Sequence, residues 1–487
     1  MEQESPYQQR LDKVRRLREL GVQPYARSFD KTHDTDTIVS NWQQLSENEE
    51  VVRTAGRVKA VRKMGKAVFI DLWDDSGKVQ VYIKKNKVPE LDWQIYELVD
   101  IGDIVGVSGS VFQTRTGEIT VVCQSLSMLS KSLRELPEKF HGLKDVEIRY
   151  RQRYLDLIAN PEVKNTFETR FLAISNIRRL LLERGFTEVE TPMMHSIAGG
   201  AAVRPFVTHH NTLDMDLFLR VAPELFLKRL VVGGFERIFE INRNFRNEGI
   251  STQHNPEFTM IEIYQAYADY HDMMDLTEYV ITETVRHVHG TEKIEYQGET
   301  LDFSRPWKRI GWVEAFGEFA GVEMDLNASK KQLLSLCEQQ ELKIDPSLHE
   351  GKIIDKLFEH CVESRLVQPT FVHDYPTEIS PLARQREDDP SITERFELFI
   401  NRFELANAFT ELTDPQEQLR RFQHQDELRQ AGDDELHEID HDFVRALEFG
   451  LCPTGGLGIG IDRLVMLLTD SPSIRDVIFF PMLRPEG

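Results

Sequence analysis

Between Val51 and Cys123 the chain is written almost wholly in short alternating runs, VVRTAGRVKAV, AVFIDLW, VQVYI, DIVGVSGSVF and EITVVC, with turn signals at Asp75-Ser76-Gly77 and Thr116-Gly117. An apolar residue at every second position commits one face of each run to a core, and runs this short can close a core only by pairing with one another. Five strands with a helical insert over 89–99 predict a small closed barrel. Elsewhere the period changes. Leu11, Val14, Leu17 and Leu20 recur at helical spacing before Gly21 and Pro24, which predicts an amphipathic helix over 6–21. The stretch from there to residue 50 carries no usable pattern. A charged hinge turning into helix is expected over 131–165. A helix over 166–184 sets Phe167, Phe171, Ile174, Ile177 and Leu181 on one side and stops at Gly185. One core cannot serve 487 residues. The expected organisation is therefore a lead-in (1–50), a barrel (51–130), a hinge (131–165) and an α+β domain (166–487), whose helical insertion near 310–365 carries no visible chemistry.

Acidic residues number 81 against 59 Lys and Arg, for a formal net charge of −22. A surface of that sign repels polyanions, so any nucleic-acid contact needs a local basic patch. The barrel supplies one: Arg53, Arg57, Lys59, Arg62, Lys63 and Lys66 fall in a stretch without an acid. With Phe69 and Tyr82 available to stack bases, the barrel reads as an oligonucleotide binder. The first helix has a basic face too, Arg10, Lys13, Arg15, Arg16 and Arg18, which either meets phosphate or is simply solvated. No apolar run approaches the ~18 residues of a membrane span. The first twenty residues lack a secretory apolar segment and are too acidic for a transit peptide. Cys123, Cys337, Cys361 and Cys452 form no CxxC and no metal spacing. Together these features predict a cytoplasmic protein with reduced thiols and no membrane partner.

Three patterns are set aside. His437-Glu438-Ile439-Asp440-His441 spells a zinc-type HExxH but has no further ligand; Lys63-Met64-Gly65-Lys66 reads as a barrel hairpin; and Gly456-Leu457-Gly458-Ile459-Gly460 places Arg463 where a dinucleotide loop needs glycine. No GK[S/T] exists for a P-loop. More informative is residues 239–248, FEINRNFRNE, followed by His254, Glu257 and Phe258, which reads as strand, polar loop, strand. Period two puts Phe258, Met260, Glu262 and Tyr264 on one face of the second strand. A carboxylate there needs a cation, either a ligand or a neighbouring side chain. Asn401-Arg402 sits where a two-residue hairpin turn belongs. In that register Glu397 faces Ala406 and lies diagonal to Glu404, close enough to share a divalent cation. Asn407, Phe409 and Glu411 then fall on the opposite parity, and only a bulge or strong twist brings Glu404 and Glu411 to one site. GGLGIGIDRLVMLL runs from a glycine-rich strand into a helix with Arg463 in its first turn; the glycines admit a flat or charged ligand, or merely a tightly packed helix.

In order along the chain, these stretches resemble the class II aminoacyl-tRNA synthetases, and within them the lysyl-tRNA synthetase family. Gly185-Phe186 through Glu188-Val189-Glu190-Thr191-Pro192 is similar to motif 1, FEINRNFRNEGI with HNPEF to motif 2, and GGLGIGIDRLVMLL to motif 3. GGAAVRPFVTHHNTLD, LRVAPELFLKRLVVGGFERIFEI, FTMIEIYQAYADY and ELFINRFELANAFTEL are similar to the lysine-specific stretches. The resemblance implies an OB-fold anticodon-binding barrel before a catalytic domain built on an antiparallel sheet flanked by helices. It implies a homodimer formed through motif 1. It also implies an enzyme that activates L-lysine with ATP and Mg2+, releases pyrophosphate, and passes lysine to the 3′ end of tRNA(Lys). Residue by residue, it places Arg246 on the α-phosphate and the substrate carboxylate, and Phe258 and Arg463 on either side of adenine. Glu248, His254 and Gly460 fall in the ATP site, and Glu397 and Glu404 on Mg2+. Gly200 and Glu224 fall at the α-amine. Glu262, Tyr264 and Glu411 surround the side-chain ammonium, next to Asn407 and Phe409. In the barrel, Arg62, Phe69 and Gln80 match positions used on the central anticodon base, and Glu118 lies in the matching turn. Two departures stand out: Arg402 where many relatives carry Gly, and Cys452 where Pro is usual. Selection of aspartate or asparagine would need cations around the side chain, where this pocket is acidic. An enzyme lysylating proteins would lack the barrel.

Overall fold

The computed structural model describes residues 5–137, 143–432 and 435–485, so residues 138–142 of the expected hinge lie outside the described residues. The chain divides into two compact units at Lys144 and Asp145.

In the first unit, β1 (Val51–Met64), β2 (Ala67–Trp73), β3 (Lys78–Lys84), β4 (Ile104–Gln113) and β5 (Ile119–Ser130) close a barrel in the order β1-β2-β3-β5-β4. The alternation that predicted it is the alternation of its core: Val68, Ile70 and Leu72 point inward from β2, and Val79, Val81 and Ile83 from β3. The lead-in is part of the same body. Leu17 of the helix Pro6–Glu19, Ile38 of Thr35–Ser40 and Leu45 of Trp42–Glu47 all enter the barrel core; helices of six residues are too short to display a period in the sequence. The hinge also proves to be divided. Lys131 is buried with its Nζ 2.6 Å from Asp100 and 2.7 Å from Asp103, which fastens the start of that segment to the barrel. Residues 146–159 instead form two short helices of the second unit, where the fully buried Arg153 meets Asp156 at 2.7 Å.

The second unit carries an eight-stranded sheet. Its strands are β6 (Thr187–Glu188), β7 (Arg237–Phe245), β8 (Glu257–Ala266), β9 (Lys308–Gly311), β10 (Thr370–Pro376), β11 (Ile392–Ile400), β12 (Phe403–Thr410) and β13 (Thr454–Gly460). The order is β9-β10-β11-β12-β13-β8-β7-β6, with parallel pairing only between β9 and β10 and between β7 and β6. One face, with Phe239, Ile261, Ile263, Ala406, Ala408, Leu457 and Ile459, forms the main core with the helices Pro161–Glu183, Tyr270–His289 and Ile461–Leu468. The insertion packs a core of its own from Trp312, Phe316 and Phe358.

The β11–β12 hairpin departs from the expected register. Asn401 (φ 47°) and Arg402 (φ 68°) are both left-handed, as a two-residue primed turn requires, although arginine pays a steric penalty that glycine would not. Ile400 pairs with Phe403 and Phe399 with Glu404, but Leu398 then pairs with Ala406 and Glu397 with Asn407. Glu397 therefore faces Asn407 and not Ala406. The extra residue, Leu405, is a bulge, and it reverses the parity of β12 so that Glu404, Asn407 and Phe409 share a face.

Candidate active site

Beyond Thr454, strand β13 holds glycine at every position that faces away from the main core. Gly456 lies between Tyr264 and Phe409, Gly458 between Glu262 and Asn407, and Gly460 beside Met260. The missing side chains leave a trench across the middle of the sheet. A Cβ on Gly456 would stand 2.0 Å from Glu411 Oε1 and 2.8 Å from Tyr264 Cε1. The trench is the floor of a cavity of about 800 Å³. Every residue expected to act in the catalytic domain lines that cavity except Glu411.

At one end are the cationic groups. Arg246 follows β7, and its amide donates to Pro256 O at 2.9 Å, pinning the two ends of the loop. Its guanidinium lies 5.0 Å from the Phe258 ring centroid, and its buried Nε has no hydrogen-bond partner. An orphaned buried donor of positive charge is a natural contact for an anion. Arg463, in the first turn of its helix, donates to Glu404 O at 2.5 Å and to His254 Nε2 at 3.2 Å. That leaves the His254 proton on Nδ1, facing Ser251 Oγ at 2.9 Å. Burial and the two arginines lower the His254 pKa, so the ring stays neutral.

Opposite stands a wall of carboxylates. Glu397 accepts from Tyr375 Oη at 2.9 Å and pairs with Arg395, and Glu404 Oε2 is 3.5 Å from Arg463. The insertion, in which the sequence showed no chemistry, adds Asp355 and Glu359 from the helix Glu350–Cys361 and Glu363 just beyond it. Burial, then the charges of Glu397, Glu359 and Glu404, push Glu363 up to about 8. Burial likewise raises Asp355, Glu359 and Glu397. Such a set of hard oxygen donors ionises reluctantly until a cation arrives. Among the described residues no group of three or more His, Cys, Asp or Glu could hold a metal ion unaided, so Mg2+ at Glu397 and Glu404 would draw its remaining ligands from nucleotide phosphate and water.

At the far end of the trench Glu224 begins the helix Glu224–Val232. Gly200, at φ 92°, lies so close that a Cβ would be 3.3 Å from Glu224 Cβ. Tyr264 Oη donates to Glu262 at 3.1 Å; burial and the charge of Glu224 hold Glu262 well above the usual carboxylate range. Glu411 is wholly buried behind Gly456, with its carboxylate against Lys228 Nζ. That ammonium also donates to Glu224 Oε1 at 2.6 Å.

Residues 145–484 match the family described as tRNA synthetases class II (D, K and N), and residues 52–129 match the OB-fold nucleic acid binding domain. Similar proteins span nearly the whole length. A lysine–tRNA ligase of Pelotomaculum thermopropionicum is 56% identical over 98% of this chain and 94% of its own. Those of Carboxydothermus hydrogenoformans and Bacillus subtilis are 55% and 51% identical, each over 98% of this chain and 97% of its own. The chain is a class II tRNA synthetase.

In this synthetase the HExxH pattern is not a helix: Asp440 caps a helix that starts only at His441, and His437 Nε2 lies 3.0 Å from Ala201 O. On the barrel, Arg62 pairs across the strands with Phe69, and Phe69 with Tyr82. The Phe69 and Tyr82 rings are 5.1 Å apart. All three side chains sit on the outer face and are at least partly exposed. Arg62 is held by Asp71 in a two-point ion pair of 2.6 and 3.0 Å, and Gln80 Oε1 accepts from Thr120 at 2.9 Å. Glu118 lies 4.0 Å from Lys78. Sequence reasoning missed Asp71, Lys228, Arg395, Asp355, Glu359 and Glu363. The only available signal was the four-residue spacing of Glu224 and Lys228, which on a helix reads as an ordinary surface pair.

Proposed function

We infer that this synthetase is a lysine–tRNA ligase. Over half of its residues are identical to those of relatives so named across almost the entire chain, and the trench that would take the amino-acid side chain is acidic. Arg246 and Arg463 bind the nucleotide's phosphate and purine ends. Gly200 and Glu224 receive the α-amine of lysine, and Glu262, Tyr264, Asn407, Phe409 and Glu411 enclose its side chain. With the substrates so held, a lysine carboxylate oxygen attacks the α-phosphorus of ATP in line and the bond to pyrophosphate breaks. No side-chain base is required, because both reacting groups are already anionic; what accelerates the step is positioning and neutralisation of charge. Mg2+ held by Glu397 and Glu404 would add Lewis-acid screening of the phosphates. The 3′ end of tRNA(Lys) then attacks the lysyl carbonyl and AMP leaves. Arg62, Phe69, Gln80 and Glu118 read the anticodon, with the basic strand β1 on the phosphates. A homodimer through the segment 185–192 fits the exposed Met193 and Met194 beside it. None of the described helices is long and apolar enough to cross a membrane, and the four free thiols suit the cytoplasm.

The test is ATP–pyrophosphate exchange measured with each of the twenty amino acids. Exchange with lysine far above the rest is expected; dependence on aspartate or asparagine would overturn the assignment.

A further inference from the structure

Lys228 is a residue that the mechanism above does not use. Its side chain is almost completely buried, as are those of Glu224 and Glu411 on either side of it. Its Nζ is 5.3 Å from the centroid of the Phe409 ring. A lysine is driven into such a place only by partners that repay its lost hydration. Burial alone would lower its pKa, and the two carboxylates more than reverse that, leaving it protonated. The end of the trench thus holds three carboxyl groups, Glu224, Glu262 and Glu411, and the Lys228 ammonium touches two of them, Glu224 and Glu411.

We propose that Lys228 is a specificity-determining positioning residue, whose ammonium ties Glu224 to Glu411 and so fixes the spacing at which the site accepts the two ammonium groups of its amino acid. The proposal rests on the reading of those two glutamates as acceptors for the α- and side-chain ammonium groups. Because one rigidly held group joins both acceptors, Lys228 measures the length of the substrate. Ornithine, one methylene shorter, cannot satisfy both ends together.

Pyrophosphate exchange with lysine and with ornithine, in the full-length enzyme and in Lys228→Met, Glu411→Gln and the double variant, tests this. Lys228→Met keeps the volume and removes the charge. The lysine-to-ornithine ratio of kcat/KM is expected to narrow at least about tenfold, with the KM for ATP within about twofold of the parent. Since Lys228 acts through Glu411, the double variant should lose no more than the worse single variant. Multiplying losses, an unchanged ratio, or a KM for ATP rising in step with that for lysine would overturn the proposal. If thermal melting shows that Lys228→Met does not fold, the double variant, in which the Lys228–Glu411 pair is removed together, is compared with Glu411→Gln alone. A further fall in the ratio then counts against Lys228, and none supports it. An unchanged lysine KM in Glu411→Gln would instead sink the underlying pocket assignment.

Discussion

Glu363 shows how the carboxylate wall responds to pH. Its ordinary pKa of 4.5 is lifted to about 8 by burial and by the neighbouring Glu397, Glu359 and Glu404. The folded protein therefore keeps a proton that the unfolded chain has already released between those values. Stability from this proton is full below the unfolded pKa and is lost as pH rises through the folded one. Melting temperature of the ligand-free enzyme should fall as pH is raised from about 5 to about 8.5, and less steeply in Glu363→Gln. A flat or rising profile would mean that the wall is not under charge repulsion. EDTA should abolish pyrophosphate exchange and Mg2+ restore it, because the donors at Glu397 and Glu404 are hard oxygens; exchange that survives EDTA would remove the metal from those residues. At this scale the sequence was readable where a residue's surroundings lie within its own strand, as for Glu262 and Tyr264. It was unreadable where a partner arrives from elsewhere: Lys228 reaches Glu411 from another element, and acids on an insertion helix look like any solvated face.

The arrangement of β13 between β8 and β12 is an element-scale device, since alternate glycines open a trench that no single residue defines. Sequence periodicity revealed the glycine strand, the face of β8 and the hairpin turn, because each follows from parity. It showed that only a bulge or strong twist could bring Glu404 and Glu411 to one site, but not that a bulge sits at Leu405, because its cause is the pairing of two strands and leaves no mark in either one. The consequence is that Glu404 joins Asn407 and Phe409 on the site face by an insertion of one residue. The glycines differ in how much room they leave. An alanine at Gly456 would drive its Cβ to 2.0 Å from Glu411 Oε1, whereas at Gly460 the nearest atom is 3.6 Å away. Gly456→Ala should lower stability by about 1–3 kcal/mol, the usual penalty for overpacking, and raise the KM for lysine. Gly460→Ala should melt near the parent. Equal melting temperatures for the two variants would show that Glu411 and Tyr264 can move aside, and that the trench is not sterically fixed.

Across the whole molecule, two units with separate cores correspond to two tasks, one reading RNA and one making the adenylate. The division was legible because the alternating barrel and the longer mixed segment have different periods; what was not legible is where lead-in and hinge belong, since short helices carry no period and a buried ion pair such as Lys131 with Asp103 joins residues far apart in sequence. If the tasks are separable, a change on the outer face of the barrel should affect only the tRNA-dependent reaction. Phe69 is suited to that test. Its neighbours Val68 and Ile70 point into the barrel core while Phe69 is only partly buried on the outer face, so its removal leaves the core intact. Stacking of a base on an aromatic ring is worth about 1–3 kcal/mol, so Phe69→Ala should lower kcat/KM for aminoacylation of tRNA(Lys) by roughly one to two decades. Lysine-dependent pyrophosphate exchange, which involves no tRNA, should stay near the parent value, and so should the melting temperature. An equal loss in both assays would make Phe69 a residue that supports the fold, and the anticodon role of this face would have to be withdrawn.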